Sequence, residues 1–392
     1  MKRLNKGQSS GDALLVVTVM ALLAFGLLAL YSATFYVGVK FWHQQLRWML
    51  LGGLLLVTLA YLVPYPFWQR LSIPLMGLTL ILLFLVLFIG KPVLGAQRSI
   101  ELWGISIQPG VLARLSAVIY IAAWLTSKGE QLGEMLYGLV PFAVITGVVA
   151  GLVALQPDLS TALLLVVTAL LMFFFAGGDP AQIFVFILGA GSSFALLAWQ
   201  FQHARLRLIN YIAALKDPTQ MSYHVYRAVT ALGSGGLFGQ GIGNGRLKSG
   251  YLPFPHTDSI FAVIGEELGL LGTLLVLALF ALLAYRGYRI ALETPDPFGS
   301  LLAFGATTMI IVEALLNVSV MIGLIPFTGT ALPFFSYGGS QMLITLTAVG
   351  LLLGVSRGRP KGDWNAVMDR WWGNWRARLP GTRRSTGNPK RY

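Results

Sequence analysis

Tyr251–Gly272 reads YLPFPHTDSIFAVIGEELGLLG, and three of the chain's fifteen acidic residues, Asp258, Glu266 and Glu267, fall within ten positions of it. After Asp258 the sequence stays apolar to about Tyr285, long enough to cross a bilayer. The spacing therefore places Asp258 where a polar connection enters a membrane helix, with the two Glu about two turns deeper. Water reaches the first; the other two are costly unless they face protein or a wet cavity. Such a cluster at a membrane mouth marks either an active site or a transport gate.

Composition sets the class. Of 392 residues, 56% are hydrophobic and 11% charged, and the mean hydropathy is +0.72, which excludes an ordinary soluble domain. With no cysteine, structural disulfides, thiolate nucleophiles and Cys-ligated metals are excluded. His43, His203, His224 and His256 lack H-x-x-x-H spacing, so a His-built metal site is not expected. The net charge of +13 would suit nucleic acid, but ten of the twenty-eight Lys/Arg lie in Arg357–Arg391, after the last apolar run. Such a tail reads as a cytoplasmic anchor beside anionic lipid, and no nucleic-acid partner is expected.

Along the chain, 1–12 is a basic leader without a small-residue cleavage signature, so the first apolar run is expected to remain as a span. Ten apolar segments follow, near 13–35, 46–63, 71–89, 109–126, 137–155, 159–177, 182–201, 260–285, 299–324 and 338–356. The expected fold is an all-α, polytopic membrane domain over 13–356, with a basic tail over 357–392. An even span count puts both termini on one side, and the basic leader and tail make it the cytoplasm. Every loop of unusual polarity then faces outward, including the longest, 202–259. That loop ends in GSGGLFGQGIGNG, Gly233–Gly245, with seven glycines in thirteen residues.

Each candidate has a plain alternative. The glycine loop could cradle a diphosphate with Arg246 and Lys248, or be a re-entrant connection that needs left-handed glycines. It matches neither G-x-G-x-x-G nor the P-loop pattern. Thr257 could cap the following helix, with Asp258 complementing the helix dipole. Adjacent helical residues diverge by about 100°, so at most one of Glu266 and Glu267 points into a given cavity. Glu313 and Asn317 could simply bond between helices. Asp158 could cap the sixth span. Lys91, Arg98, Arg114, Arg207, Arg246 and Lys248 could form a cationic patch for a phosphorylated substrate, or snorkel singly.

The combination of YLPFPHTDSIFAVIGEELGLLG, QPDLSTALLL (Gln156–Leu165), the glycine loop, NVSVMIGLIPFTG (Asn317–Gly329) and LPFFSYGGSQ (Leu332–Gln341) resembles the SEDS family, named for shape, elongation, division and sporulation. The resemblance spans 13–356 and leans towards the division branch. It implies a ten-helix bundle related to GT-C-type glycosyltransferases. It also implies peptidoglycan polymerisation from lipid II, with undecaprenyl diphosphate released and a class B penicillin-binding transpeptidase as partner among divisome or elongasome proteins. The family's proposed catalytic Asp falls on Asp258. Substrate-binding positions are expected at Arg98, Arg114, Asp158, Arg246, Lys248, His256, Thr257, Glu266, Glu267, Ser336, Tyr337 and Gly338. No tightly bound cofactor is implied, though a divalent cation, Mg or Mn, could assist the departing diphosphate. Three positions depart from the family pattern: Phe254 replaces a Glu, Val111 replaces the acid of Q-P-S-E-x-x-K, and Ser99 replaces the Trp of an R-W pair. The rival function is a lipid II flippase, which would call for polar sites near the midplane and often internal repeats. No obvious repeat exists.

Overall fold

The computed structural model describes residues 12–35, 38, 40–93, 96–102, 105–248 and 250–358; 1–11 and 359–392, most of the expected leader and tail, lie outside them. The order is α1 (Ala13–Thr34), α2 (Lys40–Tyr61), α3 (Pro66–Ile89), β1 (Lys91–Val93), β2 (Ala96–Leu102), β3 (Ile105–Ile107), α4 (Pro109–Lys128), α5 (Val140–Ala154), α6 (Leu159–Phe175), α7 (Pro180–Gln200), α8 (Gln202–Lys216), α9 (Tyr223–Gly235), α10 (Ile260–Glu293), α11 (Pro297–Met321) and α12 (Gly339–Ser356).

The ten apolar segments form α1–α7 and α10–α12, the multi-pass membrane bundle. Among the described residues, eight helices are long and apolar enough to cross a membrane. The other two, α2 and α6, fall outside that set for local reasons: α6 has 17 residues, and α2 opens with Lys40, His43, Gln44, Gln45 and Arg47, whereas the π-helical turn Met135–Leu139 extends α5 to a 20-residue span. The bundle is all-helical, but the connection before α4 is a small antiparallel sheet, β1-β2-β3, with Lys91 opposite Ser99 and Ile100 opposite Ile107. Its sequence alternates apolar and polar from Ser99 to Leu102 and from Ile105 to Ile107, the period of a strand.

Helix α2 packs along α12, α3 along α4, and α10 along both α11 and α1. The α11 helix is the most enclosed span and α7 the least. The 34 residues of α10 would run about 51 Å as one straight helix, well beyond a hydrocarbon core of about 30 Å, but the helix breaks at Gly269. Its exposure pattern shows how the excess is used. Ile260–Glu267 is wholly buried, whereas Leu270, Leu271, Leu274 and Leu275 are exposed. The first two turns stand inside protein, and the lipid-facing surface begins at Leu270.

Between those regions Gly269 adopts φ +66°, a left-handed break in the helix. A break frees backbone groups that lipid cannot satisfy. The glycine loop satisfies them: Gln240 N–H donates to Glu266 O at 3.0 Å and Gly241 N–H to Glu267 O at 3.0 Å, while Leu270 N–H reaches Gly236 O at 2.9 Å and Leu271 N–H reaches Leu237 O at 3.2 Å. Gly236, Gly239 and Gly241 all take positive φ to follow this path. The loop is therefore the re-entrant connection.

Candidate active site

A cavity of about 700 Å³ opens at one end of the bundle. Its walls come from the starts of α2, α4, α6 and α12, the segment before α10, and the last turns of α11. Gln44, Arg47, Trp48 and Leu51 line one side; Gln108, Val111 and Arg114 another; Asp158, Ser160, Thr161 and Leu164 a third. Thr257, Asp258, Glu313, Gly329–Ala331 and Tyr337–Gln341 close it.

Asp258 is half-buried in this wall, just ahead of α10, whose N-cap is Ser259. The capping explanation for Thr257 and Asp258 fails here. The first helical turn contains no acid, and the Thr257 hydroxyl donates instead to Phe254 O. The backbone of the stretch is fixed from outside. Asn317 Nδ2 donates to Asp258 O at 2.8 Å and to Thr330 O at 2.7 Å. Ser336 Oγ donates to Thr257 O at 2.6 Å and accepts from Leu332 N–H at 2.7 Å, and Tyr337 N–H donates to His256 O at 2.8 Å. The LPFFSYGGSQ and HTD segments are thus laced together. Gly329 lies beside the carboxylate, where a Cβ would touch Asp258 Oδ2 at 3.4 Å, and its φ of +73° favours glycine.

Deeper in the cavity Arg114, Glu313 and Gln341 form a closed network. Arg114 donates to Glu313 Oε1 at 2.5 Å and to Gln341 Oε1 at 3.0 Å, and Gln341 Nε2 donates to Glu313 Oε2 at 2.6 Å. All three sit on different helices, so the bonding between helices expected of Glu313 is present. Arg114 lines the cavity, but its charge is matched by Glu313. The exposed cation on the wall is Arg47. Near the mouth, Tyr337 Oη donates to Gln44 Oε1 at 2.6 Å, and Gln45 bridges Ser336 O and Gly338 N–H at 3.1 Å each. Burial pushes the Tyr337 phenol above its usual range, which keeps it a donor.

The cavity gathers Arg114, Asp158, Thr257, Asp258, Tyr337 and Gly338 from the expected set. Asp158 also caps α6, accepting from Thr161 N–H at 3.2 Å and Thr161 Oγ1 at 2.9 Å. His256 and Ser336 support the wall without lining it. The His256 ring stacks on Phe41 at 4.8 Å, and burial lowers its pKa.

The structure places four of the expected residues outside the cavity lining. Glu266 accepts the backbone N–H groups of Arg246 and Leu247 at 2.6 and 3.0 Å. Glu267 is ion-paired with Lys248, and both bond Ser32 of α1. The two Glu and Lys248 are buried and fasten the segment after the glycine loop to α10 and α1 beside the kink, away from the cavity. The Arg246 side chain is exposed and also outside the cavity lining. Arg98 lies on β2, and its side chain is outside the described residues.

Sequence reasoning missed the α2 wall. The signal was present: Gln44, Arg47, Trp48 and Leu51 fall at i, i+3, i+4 and i+7, one face of a helix. Among the described residues no three or more His, Asp or Glu form a metal-binding group. A divalent ion would then be held by one or two carboxylates, Asp258 or Asp158, together with substrate phosphate oxygens.

Fold and site together define a multi-pass membrane protein with a carboxylate-bearing cavity at one end of its bundle. The family profile described as cell cycle protein, FtsW/RodA/SpoVE, matches residues 12–361. The probable peptidoglycan glycosyltransferase FtsW of Trichlorobacter lovleyi is 38% identical over 361 residues, covering 88% of this chain and 93% of that one. Stage V sporulation protein E of Bacillus subtilis is 37% identical, covering 89% and 98%. A solved chain from a peptidoglycan synthase complex superposes with TM-score 0.76 at 29% identity, covering 90% of this chain and 100% of that one. The rod shape determining protein RodA of Thermus thermophilus gives TM-score 0.69 at 29% identity, covering 90% and 99%. The chain belongs to the FtsW/RodA/SpoVE family, the SEDS family of the sequence resemblance.

Proposed function

We propose that this chain is a peptidoglycan glycosyltransferase that polymerises lipid II, with Asp258 as general base. The observation that carries the reading is a half-buried carboxylate on the wall of a large polar cavity, its backbone fixed by Asn317. The acceptor is the GlcNAc 4-hydroxyl of one lipid II, a poor nucleophile until its proton is removed. A positioned base contributes roughly 10²–10⁴-fold to such a step. Asp258 takes the proton as the hydroxyl attacks the donor sugar, and the bond to undecaprenyl diphosphate breaks with inversion.

Negative charge develops on the departing diphosphate, where fixed cations stabilise it. Arg47 is suited to that role, since Arg114 is already matched by Glu313. A divalent cation held against the diphosphate would supply further positive charge. Leu51, Val111 and Leu164 give the cavity apolar walls for the start of the polyprenyl chain. The lining residues come from one end of the bundle, which suits an enzyme better than a flippase with access from both faces. A class B penicillin-binding transpeptidase is the proposed partner, in line with the relative solved within a peptidoglycan synthase complex.

The test is incubation of purified protein with lipid II in detergent. D258N keeps the side-chain size and should abolish polymerisation while the protein still folds and binds lipid II. Near-normal glycan synthesis by D258N would remove Asp258 as base.

A further inference from the structure

The first turn of α9 carries His224, which touches both chain segments that frame Asp258. Its Nε2 lies 2.7 Å from the Ser259 hydroxyl. That hydroxyl donates its hydrogen to Pro253 O at 2.9 Å, so it can only accept from the ring, and Nε2 carries the proton. On its faces the ring stacks against Phe327 at 4.1 Å and Phe254 at 6.2 Å. Arg207 from α8 lies over the outer face of Phe327, 5.0 Å from its centroid. Ser259 adjoins Asp258 in the chain, and Phe327 is two residues from Gly329, whose Cα faces the Asp258 carboxylate. Phe254 reaches the stack with φ +49°, a strained backbone for a bulky residue that its neighbours must hold in place. Burial first, and then the Arg207 charge, lowers the His224 pKa to about 4, so the ring is neutral with a single N–H.

We propose that His224 is a positioning residue for Asp258, acting through the Ser259 hydroxyl and the Phe327 ring. The proposal rests on the reading of Asp258 as the base. It gives α9 a part in the chemistry although α9 contributes no residue to the cavity lining. Misplacing a reacting group by a fraction of an ångström slows turnover without weakening ground-state binding.

The test is steady-state polymerisation of lipid II by the purified full-length chain carrying H224F, H224Q or S259A, beside D258N. Phenylalanine keeps a ring in the stack and removes the N–H; glutamine restores an N–H. H224F should lower kcat about tenfold with KM within about twofold, and H224Q should recover to within about threefold. The H224F/S259A double variant should fall no further than the worse single variant, because both remove one hydrogen bond. Parental turnover in H224F, a loss carried by KM, or additive losses in the double variant would overturn the proposal. If H224F does not fold, S259A decides alone, since it leaves the stack intact: a kcat within about twofold of the parent refutes the role. D258N separates the two readings. An active D258N removes the base and the positioning role with it, whereas an inactive D258N beside an unaffected H224F removes the positioning role only.

Discussion

At Asn317 one carboxamide holds two backbone carbonyls, those of Asp258 and Thr330, at 2.8 and 2.7 Å. Asn317→Leu has nearly the same size but leaves both carbonyls without this donor. An unsatisfied buried acceptor costs about 1–3 kcal/mol. The variant should melt several degrees lower in detergent, and its lipid II turnover should fall more steeply than its stability. Unchanged turnover in a destabilised N317L would mean that Asp258 is held by other contacts. His224 gives a second expectation. Its folded pKa, about 4, lies below the unfolded 6.5, so the unfolded chain binds the extra proton first. This contribution to stability is complete above pH 6.5 and is lost as pH falls towards 4. Melting in detergent at pH 7.5, 5.5 and 4.5 should show a smaller acid loss in H224Q than in the parent. The sequence pointed to Asp258 because a carboxylate at a membrane mouth is conspicuous. It did not point to His224, whose significance arises only where Ser259, Phe254 and Phe327 converge on it.

The glycine loop is the element whose role changed most. As a sequence it offered a diphosphate cradle or a re-entrant connection, and backbone hydrogen bonding selects the second. Four hydrogen bonds join Gly236–Gly241 to the break at Gly269, and Lys248 pairs with Glu267 beneath. The seven glycines were legible; the break that they serve was not, since Gly269 sits in an otherwise unremarked apolar run. Likewise the α2 wall is hidden in the sequence because its polar face straddles the start of the apolar segment at 46–63. The loop tip carries Leu237, Phe238 and Ile242, exposed by 61%, 79% and 52%. These residues sit level with Leu270 and Leu271, where the lipid-facing surface of α10 begins. A nitroxide at F238C in lipid vesicles should therefore report the edge of the hydrocarbon, more accessible to oxygen than to a polar relaxant. One at Y251C should report water. Equal aqueous access at both sites would place the loop tip in solution.

Across the whole molecule, helix direction decides which end of the bundle each charged residue occupies. Helices α2, α4, α6, α10 and α12 start at the cavity end, so Lys128, Arg286, Arg289 and Arg357 fall towards the opposite end, with Arg70 at the start of α3. Asp12, at the start of α1, pairs with Arg286 near the end of α10, which fixes the first span against the eighth at that same end. Cytoplasmic termini and an outward-facing cavity are the expectation from the even count of apolar segments and the basic residues of 1–12 and 357–392. The orientation matters to the chemistry, because a base at the cavity end can meet an externally displayed sugar while the polyprenyl tail stays in the bilayer. The absence of cysteine makes the test clean. In intact cells, a cysteine at Lys216, at the end of α8, should react with a membrane-impermeant maleimide. A cysteine at Glu293, at the end of α10, should react only after lysis. The reverse pattern would turn the cavity to the cytoplasm, where Asp258 could not meet an acceptor displayed outside. Labelling of both sites in intact cells would indicate leaky membranes, which a cytosolic control protein detects.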